Sequence, residues 1–208
     1  FHLACDAANP QAVELLRSRK KRSDKPFALM SADLQTIENY CTLSDEDRQA
    51  LLGAKAPILL LQRRPGAQLA AQVAPSQRTY GFMLPYTPLH LLLMEKAADF
   101  PDTLVMTSAN LAEEPIAYQD GEARQRLSHL ADGFLLHNRD IHMRTDDSVL
   151  RTARGGIYPI RRARGYAPDP IRLPLQVRPV FAAGAELKNV FCLTRDDYAF
   201  LSHHIGDL

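Results

Sequence analysis

The sequence predicts an α/β protein: a twisted mixed β-sheet with flanking helices, followed by the truncated start of a second α/β domain. Three observations carry this. Short apolar runs of strand length alternate with stretches of helical periodicity. A hairpin pattern around Gly155-Gly156 closes that alternation, which makes the sheet mixed rather than purely parallel. A proline-rich tract then interrupts the chain, and strand patterns resume beyond it.

In order, residues 1–5 read as a strand. Asn9 caps the next helix, Pro10 takes its first position, and Ala12, Leu15 and Leu16 supply its apolar stripe. A basic loop, residues 20–26, leads to a second strand, 27–30. Ser31 caps a helix carrying Leu34, Ile37 and Cys41, and Ser44 with Asp47 forms a capping box for the helix that Gly53 ends. Residues 57–61 form a buried strand, and 65–86 a long irregular loop of the kind that often serves as a lid. Thr87-Pro88 opens a helix running to Ala97, residues 103–107 a strand, and Asp120 caps a helix running to His129. Residues 133–136 read as another strand, and 149–152 with 157–162 as the hairpin. Pro168, Pro170, Pro174 and Pro179 exclude regular structure from residues 168–179. Strands follow at 180–183, 190–193 and 198–202, the last two joined by Asp196-Asp197. The domains are therefore 1–167, a linker 168–179, and 180–208. The chain opens on Phe1 within an apolar stretch, so it reads as a fragment.

With 208 residues and a net charge of +1, the chain can bury a full core and is not a general nucleic-acid binder. Cys5, Cys41 and Cys192 make neither a disulfide framework nor a zinc site, which points to the cytoplasm. No apolar run reaches the length of a membrane span. The average hides two cationic clusters. Arg17, Arg19, Lys20, Lys21, Arg22 and Lys25 crowd one, with the single acid Asp24. Arg151, Arg154, Arg161, Arg162 and Arg164 form the other, without an acid. Either could be a solvated face, but two clusters flanking an α/β domain favour an anionic ligand.

Lys20, Arg22 and Lys25 share a loop, where long side chains can converge on a phosphate. Ser108-Ala109-Asn110 follows a strand directly, where α/β sheets bind ligands in the crevice beyond the strand ends; a plain turn is the alternative. The stretch 137–148 holds two histidines and three acids. A metal site there is disfavoured because Asp146 and Asp147 point to opposite sides of an extended chain.

In that order, Lys-x-Arg-x-x-Lys-Pro (residues 20–26), Thr-Ser-Ala-Asn (107–110) and Arg144 with Ser148 before a strand resemble the YrdC-like family. Within it, the fuller text is similar to carbamoyltransferases of the HypF type: His137-Asn138-Arg139, Asp146-Asp147-Ser148-Val149, the run 161–168, Gly184-Ala185-Glu186-Leu187-Lys188-Asn189 and His204-Ile205-Gly206-Asp207-Leu208. The resemblance implies a YrdC-like domain, lacking its first strand, and the N-terminal hairpin of a truncated Kae-like domain. It implies an ATP-binding enzyme that activates a carbamoyl group from carbamoyl phosphate as carbamoyl-AMP, releasing pyrophosphate. The acceptor would be the C-terminal cysteine of a HypE-type protein, on the way to the cyanide ligand of nickel–iron hydrogenase. Lys20, Arg22, Lys25 and Arg144 would contact phosphate, and Ser108 and Asn110 the carbamoyl group and α-phosphate. Ser148 and Arg162 are further candidates, Mg²⁺ is expected with ATP, and no residue is singled out as catalytic. Two alternatives stand: a threonylcarbamoyl-AMP synthase for tRNA modification, and an RNA-binding module that would take double-stranded RNA. Residues 184–208 argue against the first, and the lack of tryptophan and of interleaved aromatics against the second.

Overall fold

The structure, a computed structural model, describes residues 1–111, 114–185 and 189–203. Its main sheet is built from β1 (His2–Asp6), β2 (Ala28–Ser31), β3 (Cys41–Thr42), β4 (Ile58–Arg63), β5 (Thr79–Met83), β6 (Thr103–Ser108), β7 (Val149–Ala153) and β8 (Gly156–Arg161). The order across it is β1-β6-β2-β5-β4-β7-β8, with β3 paired to β4 outside that path. Pairs β2–β5 and β4–β7 are parallel and the rest antiparallel, so the sheet is mixed as expected.

Alternation of side chains puts two cores on the two faces of this sheet. Leu29, Leu59, Phe82 and Val105 face one way, joined by Val13 and Leu16 of α1 (Pro10–Arg19) and Ile37 of α2 (Leu34–Glu38). Met30, Ile58, Met83, Leu104 and Met106 face the other, joined by Met94 just after α4 (Pro88–Leu93). The central strands are apolar on successive residues because both of their faces are covered.

Helix α1 starts as expected: the Asn9 side chain accepts from the amides of Gln11 and Ala12, and Pro10 follows. Its buried stripe is Val13, Leu16 and Arg17, however, while Leu15 is exposed. The Ser44–Asp47 capping box opens α3 (Asp45–Leu52). Asp33, not Ser31, caps α2, because Ser31 belongs to β2 and bonds Thr103 inside the sheet at 2.7 Å. Helix α4 stops at Leu93, short of Ala97, and α5 (Asp120–Leu127) has Gln119 rather than Asp120 at its cap.

Four further expectations are corrected. The loop expected at 65–86 contains a 3₁₀ turn, Ala71–Val73, and the central strand β5. Gly81 belongs in that strand because a Cβ there would lie 3.0 Å from Ile58 Cγ2. Residues 133–136 form no strand, and Phe134 and Leu135 stay exposed. The prolines of 168–179 do not bar regular structure: β9 (Ile171–Val177) contains Pro174. It sits at the edge of a three-stranded sheet ordered β10-β11-β9, and the ladder breaks its register beside it, so no amide is missed there. In that sheet β10 (Phe181–Ala183) pairs with one long strand, β11 (Phe191–Leu201), which replaces the two strands expected on either side of Asp196-Asp197. The turn expected there becomes an irregularity at Asp196, with φ 55°. No helix among the described residues is long and apolar enough to cross a membrane.

Candidate functional site

The site forms where β6 ends. Apolar and enclosed through most of its length, β6 carries Ser108 at its carboxyl end, on the edge where its antiparallel neighbours β1 and β2 begin. Beside it β1 runs antiparallel, with His2 opposite Ser108. Helix α1 ends at the same edge and sends Lys20 across: its ammonium donates to Ser108 O (2.6 Å), Asn110 O (2.5 Å) and Asn110 Oδ1 (2.7 Å). Ser108 Oγ donates to the same Oδ1 at 2.8 Å, and Asn110 Nδ2 donates to Glu114 O at 2.6 Å. Residues nearly ninety positions apart are thus drawn into one turn. Lys20 is buried, and its three donors meet three oxygens.

Arg22 curls over its own loop, donating to Lys25 O (3.0 Å) and Pro26 O (2.6 Å), with its guanidinium 5.0 Å from the centre of the Phe27 ring. Burial, then the charges of Arg17 and Arg161, push its pKa down to about 10. A cation crowded by cations is one that an anion would relieve. Lys25 and Arg144 are exposed, and among the described residues no hydrogen bond or ion pair ties Arg144 to the cluster. Ser148 is wholly buried: its hydroxyl donates to Arg164 O (2.9 Å) and accepts from Ala163 N (2.8 Å), clamping the strand β7 to the segment after β8. Arg162 donates to Asp169 O at 2.5 Å. The structure therefore gathers Lys20, Ser108 and Asn110 directly and Arg22 nearby, while Ser148 and Arg162 sit in the packing of the arginine-rich segment.

Beneath this edge lies a polar network that reading the chain in order does not reveal. Asp147 Oδ1 accepts from Arg164 Nε at 2.8 Å and from Tyr86 OH at 3.3 Å, and its Oδ2 meets His2 Nε2 at 3.3 Å. Arg161 Nε donates to Asp147 O at 2.8 Å. The Arg164 guanidinium stacks on Tyr86 at 3.5 Å and also donates to Ala56 O at 2.8 Å. Burial would raise the Asp147 pKa, but the His2 hydrogen bond and the charges of His2 and Arg164 outweigh it and hold the carboxyl well below the usual range. His90 closes the group, its ring edge-on to Tyr86 at 4.6 Å and to His2 at 5.7 Å. No group of three His, Cys, Asp or Glu side chains among the described residues could hold a metal ion. A separate cavity of about 400 Å³, lined by Thr36, Met94, Lys96, Phe100 and Asp102 among others, lies at the opposite end of β6 and includes none of the expected residues.

Residues 1–163 match the Sua5/YciO/YrdC family model, described as telomere recombination. The chain belongs to this family. Residues 176–208 match a second model, the HypF Kae1-like domain, so the pair of regions reproduces the expected order. The chain is similar over its whole length to carbamoyltransferase HypF2 of Cupriavidus necator, at 47% identity, and spans 28% of that protein. A solved structure of full-length HypF in the phosphate- and nucleotide-bound form superposes with a TM-score of 0.90 at 49% identity, covering 100% of this chain and 32% of that one. Threonylcarbamoyl-AMP synthase of Stenotrophomonas maltophilia is 33% identical over 64% of this chain and 72% of its own length. The chain thus spans little more than a quarter of the HypF relative's length.

Proposed function

We propose that this chain is the adenylate-forming part of a HypF-type carbamoyltransferase, with residues 1–167 as the nucleotide-binding domain and 180–208 as the start of the Kae-like domain. The observation that carries the reading is the convergence of the Lys20 loop on Ser108 and Asn110. It brings one buried cation and two small polar groups together beyond the end of β6, which supports a ligand site there.

In this reading Arg22, Lys25 and Arg144 hold the β- and γ-phosphates of ATP, and the Lys20 charge lies beneath them. Ser108 and Asn110 orient the carbamoyl group and the α-phosphate. Once water has cleaved carbamoyl phosphate to carbamate and inorganic phosphate, a carbamate oxygen attacks the α-phosphorus, forming the O–P bond as the bond to pyrophosphate breaks. Such a transfer needs positioning and charge neutralisation more than a protein nucleophile. Asp147 is committed to Arg164 and His2, so Mg²⁺ would be held by phosphate oxygens and water rather than by a protein cage. Carbamoyl-AMP would then serve transfer to the C-terminal cysteine of a HypE-type acceptor.

The test is pyrophosphate exchange by the full-length protein with ATP and Mg²⁺. Carbamoyl phosphate should drive exchange; threonine with bicarbonate should not. The likeness to a threonylcarbamoyl-AMP synthase favours the second reading, and threonine-dependent exchange at a comparable rate would establish it. A threonine site must satisfy a further carboxylate, ammonium and hydroxyl, each costly to bury unpaired. No exchange with either substrate, together with tight binding of double-stranded RNA, would replace both readings by a binding module.

A further inference from the structure

Arg17 belongs by sequence to the cationic cluster, yet its guanidinium is taken up by the protein's own main chain. It lies in the last turn of α1 and is 7% exposed. A guanidinium has five N–H donors, and here all of them meet main-chain carbonyls. Nε and Nη2 both donate to Gln72 O, at 3.0 and 2.6 Å. Nη1 donates to Arg22 O at 2.9 Å and Ser23 O at 2.7 Å, and Nη2 also to Lys25 O at 3.3 Å. Its plane sits 4.6 Å from the centre of the Phe27 ring, the same ring that Arg22 covers.

We propose that Arg17 is the positioning residue of the basic loop: its fork draws the carbonyls of residues 22, 23 and 25 inward and so sets where Arg22 and Lys25 stand. A trans peptide points its N–H away from its C=O, so the same fork turns the amides of Ser23 and Asp24 outward with those side chains. The loop would otherwise pay the entropy of ordering on each binding event. Lys21 adopts φ 51° as the left-handed residue that ends α1, where Arg22 N donates to Arg17 O at 3.0 Å and Lys21 N to Ser18 O at 3.1 Å, so the backbone cap starts the loop and the fork holds its continuation. This assignment rests on the proposed anion-binding role of the loop for its functional meaning, though not for its geometry.

The test compares the full-length protein with Arg17→Lys, which keeps the charge but not the planar fork, and with Arg22→Ala. Arg17→Lys should weaken ATP binding about tenfold at fixed salt and speed amide exchange at least tenfold at residues 21–25. Exchange in β2 and β6 should stay unchanged, which a merely global loss of stability would not allow. The double variant should lose less ATP affinity than the sum of the two single losses, because part of the Arg17 effect runs through Arg22. A second measurement needs no variant: the Arg17 Nε–H resonance should exchange at least tenfold more slowly than that of exposed Arg151. Wild-type ATP affinity in Arg17→Lys, a strictly additive double variant or a freely exchanging Nε–H would each overturn the assignment. If the unaltered protein binds no nucleotide while loop exchange still depends on Arg17, the functional reading falls and the positioning role stands.

Discussion

His90 gives the network under the site a measurable pH signature. Its ring is 8% exposed, set against Tyr86, His2, Asp147 and Arg164, and its Nδ1 is buried without a hydrogen-bond partner. Burial chiefly, with the His2 and Arg164 charges against the opposing pull of Asp147, brings its pKa down to about 4. In an unfolded chain an imidazole titrates near 6.5. Between those values the unfolded state holds a proton that the folded state refuses, so stability falls as pH drops from about 6.5 to 4. At about 1.4 kcal/mol per pH unit, the loss is about 3 kcal/mol.

The perturbation is His90→Phe, which fills similar space and cannot titrate. The urea midpoint of the wild type should fall between pH 7 and pH 4 by the equivalent of about 3 kcal/mol more than that of the variant. The imidazole Cε1–H resonance of His90 should show no titration above about pH 5 in the folded protein. Stability curves that run parallel through this window, or an NMR pKa near 6.5, would refute the reasoning.

Lys20→Met removes an ammonium bonded to three oxygens and should lower stability by about 2–4 kcal/mol, read as a fall of the melting temperature; an unchanged value would dismiss Lys20 as a strut. Arg22→Ala should weaken ATP binding by about 1.5–3 kcal/mol by calorimetry, and equal affinity at fixed salt would remove Arg22 from the phosphate contacts. Asp147→Asn leaves Arg164 partly buried without its counter-ion and should cost about 3 kcal/mol at pH 7. Because the Asp147 pKa is depressed, that difference should persist above pH 4 and vanish as the wild type is acidified through its folded value. Gly165→Ala should destabilise by more than about 2 kcal/mol, since φ is +81° and a Cβ would lie 2.5 Å from Lys55 O; thermal unfolding at the wild-type temperature would contradict it.

Legibility in the sequence follows from how local each signal is. Asn9-Pro10 and Ser44 with Asp47 declare their helices because a cap is a contact between near neighbours. Strand β5 hides because Gly81 and its flanking prolines mimic a loop, and only its place between β2 and β4 makes Thr79–Met83 a strand. Residues 133–136 mislead in the opposite sense: an apolar run without a neighbour to pair with has no reason to extend. At the candidate site, Lys20, Ser108 and Asn110 could be named through the resemblance, whereas turn residues after a strand and cations in a loop are common by themselves. Tyr86, His90, Asp147 and Arg164 are not legible as a group, since each is an ordinary residue until the sheet order sets β1, α4 and the arginine-rich segment side by side. Even the cationic cluster misleads in part: Arg17 serves carbonyls, and Arg19 pairs with Asp132 at 2.8 Å.

The two arginine-bearing regions differ in how their charge is compensated, and that difference bears on which of them attracts an anion. Arg164 meets a carboxylate, Asp147, so the pair adds little net field beyond its own neighbourhood. The hydrogen bonds of Arg17 and Arg22 go to carbonyl oxygens, whose dipoles stabilise a cation without cancelling its charge. Two such guanidinium groups against one Phe27 ring, with Arg161 near enough to depress the Arg22 pKa, concentrate positive potential at one edge of the sheet. Replacing a carboxylate partner by carbonyls costs some stability in the empty protein, because like charges repel there. The same arrangement lets a polyphosphate enter without first displacing a protein anion. The Asp147 network is thus the charge-paired floor, and in the proposed reading the carbonyl-braced loop is the part whose charge would serve a phosphate ligand.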